Sequence, residues 1–143
     1  MKTEFIPYEE ALALKELGFD EPCLRVGNPH GHTMWKWIEV DGDPPSVSID
    51  DVVQVSYGEE WTQIPMFSQA FRFLREKYNL HFEPYTVDMG AIEYSFQIRD
   101  LYSEKYVYDN FVGAGSSYSG TFNTYEEAEL ECLKKLIEIA KSK

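Results

Sequence analysis

The sequence predicts an α+β protein: an antiparallel sheet with helices packed on one face, in the order α-β-β-β-α over the C-terminal half. Three observations carry this. Residues 92–99 alternate strictly, with Ile92, Tyr94, Phe96 and Ile98 set against Glu93, Ser95, Gln97 and Arg99, the period-2 pattern of a strand with one buried face. Residues 65–78 and 124–140 instead repeat their apolar side chains every three or four positions, which marks amphipathic helices. Turn residues separate these segments, so the strands can fold back on one another.

Taken in order, the first element is a helix over Pro7–Leu17. Proline suits a first helical position because its missing N–H would have no intrahelical partner there. Glu9 and Glu10 complement the helix dipole, Tyr8, Ala11, Leu12 and Leu14 form the apolar stripe, and Gly18 offers the left-handed stop. Residues 19–60 read as strands and loops. Strands are expected at Cys23–Val26, at Thr33–Val40 with Trp35 and Trp37 on one face, and at Val52–Tyr57. Asp41-Gly42-Asp43-Pro44-Pro45 closes the second of these.

The second helix is expected over Pro65–Tyr78, with Phe67, Ala70, Phe71, Leu74 and Tyr78 inward. Strands follow at His81–Val87, Ile92–Arg99 and Lys105–Val112, with a turn at Asp88-Met89-Gly90 and a Gly/Ser loop over Gly113–Gly120. Thr124-Tyr125-Glu126-Glu127 is a capping box. It opens a helix whose buried face is Tyr125, Ala128, Cys132, Leu133, Leu136, Ile137 and Ala140. Tyr-Glu-Glu-Ala occurs at both Tyr8–Ala11 and Tyr125–Ala128. Because the flanks differ, it reads as two helix starts and not as a duplication.

The chain has 143 residues, 43% hydrophobic and 15% aromatic, too apolar for a disordered segment and of a size for one domain. That domain, 1–143, divides by composition into an acidic helix-plus-strands sub-region, 1–60, and the α-β-β-β-α sub-region, 61–143. Net charge is −12. Residues 1–60 carry four basic and thirteen acidic side chains, and residues 61–143 carry nine and twelve. Such a surface repels phosphates, so direct nucleic-acid binding is not expected. No apolar run reaches the roughly 18 residues of a membrane helix. The opening Met-Lys-Thr-Glu-Phe-Ile-Pro lacks an apolar signal core, so a cytoplasmic protein is expected, with Cys23 and Cys132 as reduced, structural thiols.

Two resemblances add context. Helix, strand, strand, strand, helix over residues 65–141 is similar to the double-stranded-RNA-binding domain, whose helices share one face of a three-stranded sheet. That family grips phosphates with lysines at the start of its second helix. Here the matching stretch is Thr124-Tyr125-Glu126-Glu127-Ala128-Glu129-Leu130-Glu131, so the resemblance implies topology and not RNA binding. Three further blocks, Tyr8–Cys23, Phe67–Tyr78 and Thr124–Ile139, resemble in the same order an uncharacterised group of small proteins from bacterial and phage genomes. This implies a phage or mobile-element setting and carries over no activity.

Catalytic and metal signals are thin. His30-Gly31-His32 could place two imidazoles on one ion, but a zinc site needs further ligands, and the Gly and Pro neighbours favour an exposed turn. Asp41, Asp43, Asp50 and Asp51 lack the calcium-loop order. Gly115-x-x-x-x-Gly120 has Thr121 where a phosphate loop needs lysine. No Gly-x-Ser-x-Gly or other nucleophile pattern occurs, so neither an enzyme nor a cofactor is expected. The surplus of aromatics remains. Tyr102, Tyr106, Tyr108 and Tyr118, with Trp35 and Trp37, are the candidate surface for a partner protein, since tyrosine among serine and glycine gives large contact area at small entropic cost. The competing account is ordinary sheet packing with hydroxyls at the rim. The expected function is that of a small acidic accessory protein acting by protein–protein interaction. The alternatives are a nucleic-acid mimic, then an enzyme with an unrecognised site. Pairing of an edge strand, Lys105–Val112, would make a homodimer.

Overall fold

The computed structural model describes residues 4–30, 32–35, 61–88, 90–113 and 120–143. The chain divides into two compact units, Met1–Ser68 and Gln69–Lys143, and among the described residues the architecture is α+β, with two three-stranded antiparallel sheets. No helix of the described residues is long and apolar enough to cross a membrane.

In the first unit, α1 spans Tyr8–Glu16. Pro7 is its N-cap and not its first turn residue, with ψ 157° still extended. Ala11 and Leu14 are buried. The helix stops where Gly18 takes φ +99°. The Gly18 N–H then bonds the Lys15 carbonyl at 3.0 Å and the Phe19 N–H the Leu14 carbonyl at 2.9 Å, a Schellman closure with Phe19 and Leu14 both buried. The sheet has the order β2-β1-β3, from β1 (Arg25–Gly27), β2 (Thr33–Trp35) and β3 (Thr62–Ile64). β3 was not anticipated. Thr-Gln-Ile is too short to show a period, and its partner in β1 is far away in sequence. The strand expected at Val52–Tyr57 lies outside the described residues, as does the end of Thr33–Val40. Residues before α1 continue the pairing, with Phe5 bridged to Met66 and the Ile6 N–H on the Pro65 carbonyl at 3.1 Å.

The second unit is the α-β-β-β-α half. Helix α2 (Phe67–Tyr78) leads into β4 (Leu80–Asp88), β5 (Ile92–Asp100) and β6 (Lys105–Asp109), and α4 (Tyr125–Lys141) closes the unit. Sheet order is β4-β5-β6. Asn79 ends α2 with φ +58°, and its carbonyl accepts the Leu101 N–H at 2.7 Å. Thr124 caps α4 as its sequence predicts, accepting the Glu127 N–H at 3.2 Å. Ala128, Cys132, Leu133, Leu136, Ile137 and Ala140 are its buried face. Both cysteines of the chain are buried, and burial pushes the Cys132 thiol up.

The third strand departs from expectation. It ends at Asp109, and Asn110–Gly113 form a short helix, α3, in place of its last residues. Asp109 causes this, because its Oδ1 accepts the Phe111 N–H at 3.0 Å, as an N-capping carboxylate does. The chain rejoins the sheet at Phe122, which exchanges both backbone hydrogen bonds with Tyr94 at 2.8 and 2.7 Å. The Gly120 carbonyl closes the excursion, accepting Ser95 Oγ at 2.8 Å and Asn110 Nδ2 at 3.1 Å. This returning segment buries Ser95 completely, although alternation assigned Ser95 to the wet face. Ile92, assigned to the core, is 67% exposed, because it lies at the turn end of the β4–β5 hairpin, opposite Asp88 in the last pair of the ladder.

Candidate interaction surface

The aromatic residues of the second unit separate into inward and outward groups, and a bulge decides which is which. In β6, Tyr108 pairs with Ile98 and Tyr106 with Arg99, so two residues of β6 advance where β5 advances one. Val107 is the extra residue. A regular strand would put Tyr106 and Tyr108 on one face. The bulge puts them on opposite faces.

Tyr108 turns toward the helices. Its ring lies 5.9 Å from that of Phe96, Lys135 Nζ sits 4.6 Å from its centroid, and its hydroxyl donates to Asn110 Oδ1 at 3.0 Å. On the same face of the sheet, Phe71 stacks on Phe82 at 4.7 Å and Tyr125 meets both Phe82 and Tyr94 at 6.4 and 6.3 Å. Tyr106 turns the other way, toward Arg99, whose guanidinium carbon is 4.5 Å from the ring centroid and which also donates to the tyrosine hydroxyl. Arg99 Nε is in turn 3.1 Å from Glu83 Oε1, and Gln97 Nε2 donates to Glu83 Oε2 at 3.1 Å. On the same face the Tyr85 hydroxyl donates to Asp109 Oδ1 at 2.7 Å. Burial, and then the adjacent Asp109 carboxylate, push the Tyr85 hydroxyl up to about 12.

Tyr102 stands at the tip of the β5–β6 hairpin and is 88% exposed. The tip is held by polar contacts rather than packing. Asp100 Oδ1 accepts the N–H groups of Tyr102 and Ser103 at 2.9 and 3.2 Å, and its Oδ2 meets Lys143 Nζ at 3.0 Å. The Lys143 ammonium and then the Ser103 N–H hold the Asp100 carboxyl below its ordinary range. Glu104 adopts φ +58° to turn the chain back. Around Tyr102 lie Leu101, 41% exposed, Tyr106, 49%, and Val107, 45%. Four of the five exposed large hydrophobic residues among the described residues therefore fall within positions 101–107. Leu101 and Val107 were not singled out from sequence. The available signal was an apolar residue placed directly in a turn, and an odd residue between two tyrosines.

Of the other candidates, Trp37, Tyr118 and the Trp35 side chain lie outside the described residues. His30 and His32 flank a turn organised by Asn28, whose Oδ1 accepts both of their backbone N–H groups at 3.0 Å. Among the described residues no cluster of three or more His, Cys, Asp or Glu is placed to hold a metal. In comparisons with known proteins, no family model, no curated protein and no solved structure matches the chain.

Proposed function

We propose that this protein is a small acidic accessory protein that works by binding another protein through the tip and outer edge of the β5–β6 hairpin. The observation that carries the reading is the concentration of exposed Leu101, Tyr102, Tyr106 and Val107 on one short hairpin. Isolated exposed apolar residues need no explanation, whereas a contiguous group presents an interaction surface. Two of the four are tyrosines, which bury large area with few rotors to immobilise. The tip is preorganised by Asp100, which lowers the ordering cost of association.

The test is co-purification from the native host by size-exclusion chromatography with light scattering, comparing the natural chain with a Tyr102→Ala/Tyr106→Ala double variant. The expected result is a stoichiometric partner that the natural chain retains and the double variant loses, with unchanged thermal unfolding. A partner held equally by both chains refutes this surface. If charge reversal along residues 39–60 abolishes that capture, the acidic segment is acting as a nucleic-acid mimic.

A further inference from the structure

One ammonium in the second unit joins three segments that are distant in sequence. Past α4, the Ser142 N–H and hydroxyl donate to the Ile139 carbonyl at 3.1 and 2.7 Å, and the Lys143 N–H donates to the Ala140 carbonyl at 3.2 Å. These bonds wind the chain onto the last carbonyls of the helix and fix where the Lys143 side chain starts. Its Nζ donates to the Tyr78 carbonyl at 3.1 Å and to Asp100 Oδ2 at 3.0 Å. Tyr78 is the last residue of α2, and a lysine on a last-turn carbonyl also complements the negative end of the helix dipole.

Asp100 divides its two oxygens between this ammonium and the hairpin tip. Oδ2 meets Lys143, while Oδ1 accepts the N–H groups of Tyr102 and Ser103 at 2.9 and 3.2 Å. A carboxylate is planar, so holding one oxygen sets the direction of the other. The ammonium thereby aims the acceptor around which the turn is built. The turn is held a second time at Leu101, whose N–H donates to the carbonyl of Asn79, the residue after α2, at 2.7 Å. The cation is selected by the fold and not by proximity along the hairpin. Lys105 is the cross-strand partner of Asp100 in the ladder, yet the ion pair is with Lys143, 43 positions away.

Resting on the reading of the β5–β6 hairpin as the partner surface, we propose that Lys143 is the positioning residue of that surface: its ammonium, acting through Asp100, holds the turn that presents Leu101 and Tyr102. The tip is then governed from the end of α4. Whatever removes the positive charge at Lys143, or shifts the end of that helix, loosens the turn and raises the ordering cost of association. A partly exposed ion pair changes an equilibrium by only about two- to fivefold. Lys143 therefore tunes the surface and does not create it.

The test measures solvent exchange of backbone amides by NMR on the full ¹⁵N-labelled chain, natural and with Lys143→Gln, Lys143→Arg or Lys105→Gln. Lys143→Gln is expected to speed exchange at Tyr102 and Ser103 about two- to fivefold. Tyr94 and Phe122, whose amides bond each other across the sheet, should keep their rates. Lys143→Arg keeps the charge and should restore most of the protection. Lys105→Gln removes an equal charge from the same hairpin without touching the Asp100 oxygens, and should leave both amides as they are. Unchanged rates in Lys143→Gln overturn the proposal. So does an equal effect of Lys105→Gln, the same loss in Lys143→Arg, or acceleration that spreads to Tyr94 and Phe122. The two readings fail separately. Partner capture that survives Tyr102→Ala/Tyr106→Ala refutes the surface and not the role of Lys143, whereas unchanged exchange refutes the role and not the surface.

Discussion

The two faces of the β4–β5–β6 sheet use the same residue types for opposite ends. On the helical face, Tyr94, Tyr108 and Tyr125 contribute rings to a layer with Phe82 and Phe96, and most of what stabilises the fold there is burial of apolar area. On the other face, Tyr85 and Tyr106 contribute hydroxyls to contacts with Asp109 and Arg99, and the gain from each polar contact is smaller because water competes for the same groups. The difference teaches that a tyrosine count says little about binding. Where each ring goes depends on strand parity, and in β6 parity depends on one extra residue, Val107.

The comparison breaks most directly at Phe96, which is 1% exposed and touches both Tyr108 and Phe122. Phe96→Ala is expected to cost about 3–5 kcal/mol, read as a large drop in the urea midpoint. On the polar face, Asp109→Ala removes the acceptor for both the Tyr85 hydroxyl and the Phe111 N–H. It is expected to cost about 1–3 kcal/mol, measured in the same way. A loss at Asp109 equal to that at Phe96 would show that the faces do not differ as argued.

Tyr85 sharpens the contrast through pH. Its hydroxyl is pushed up to about 12 in the folded chain, against about 10 when unfolded. The folded state therefore holds this proton longer, so the contribution is complete below about pH 10 and is lost as pH rises through the folded value. Ultraviolet difference titration should show one tyrosine ionising late, and Asp109→Asn should move that titration downward. Because burial is the larger cause, the change should be only partial. The smallest effect on stability is expected at the hairpin tip. Tyr102→Ala should alter unfolding by no more than about 0.5 kcal/mol, while reducing capture of a partner.

Much of the second unit was legible because its signals are local. The α4 face from Ala128 to Ala140, the Thr124 cap, and the placement of Phe96 and Ile98 all follow from spacing alone. What escaped depends on contacts distant in sequence or on an irregularity. Ser95 is buried because Gly120 returns over it, and no pattern within residues 92–99 encodes that. Strict alternation would put Tyr106 and Tyr108 on one face, but that rule holds only for a regular ladder and fails at the Val107 bulge. The hairpin surface was half legible. Its tyrosines stood out by type, whereas Leu101 and Val107 become visible only once the turn and the bulge are placed. In the first unit, Arg25 and Phe5 are ordinary in sequence and meet only because β1 and the segment before α1 converge on β3 and the residues that follow it.

The closure at Gly120 has a consequence for how the protein can vary. The chain leaves the sheet at Asp109 and resumes it at Phe122, and one carbonyl ties both ends through Asn110 and Ser95. Register on either side is set by β5 and not by the span between. Variation at Ser95 or Asn110 therefore loosens both ends of the excursion at once, so these two side chains and the Gly120 carbonyl act as a single clasp on the edge of the three-stranded platform.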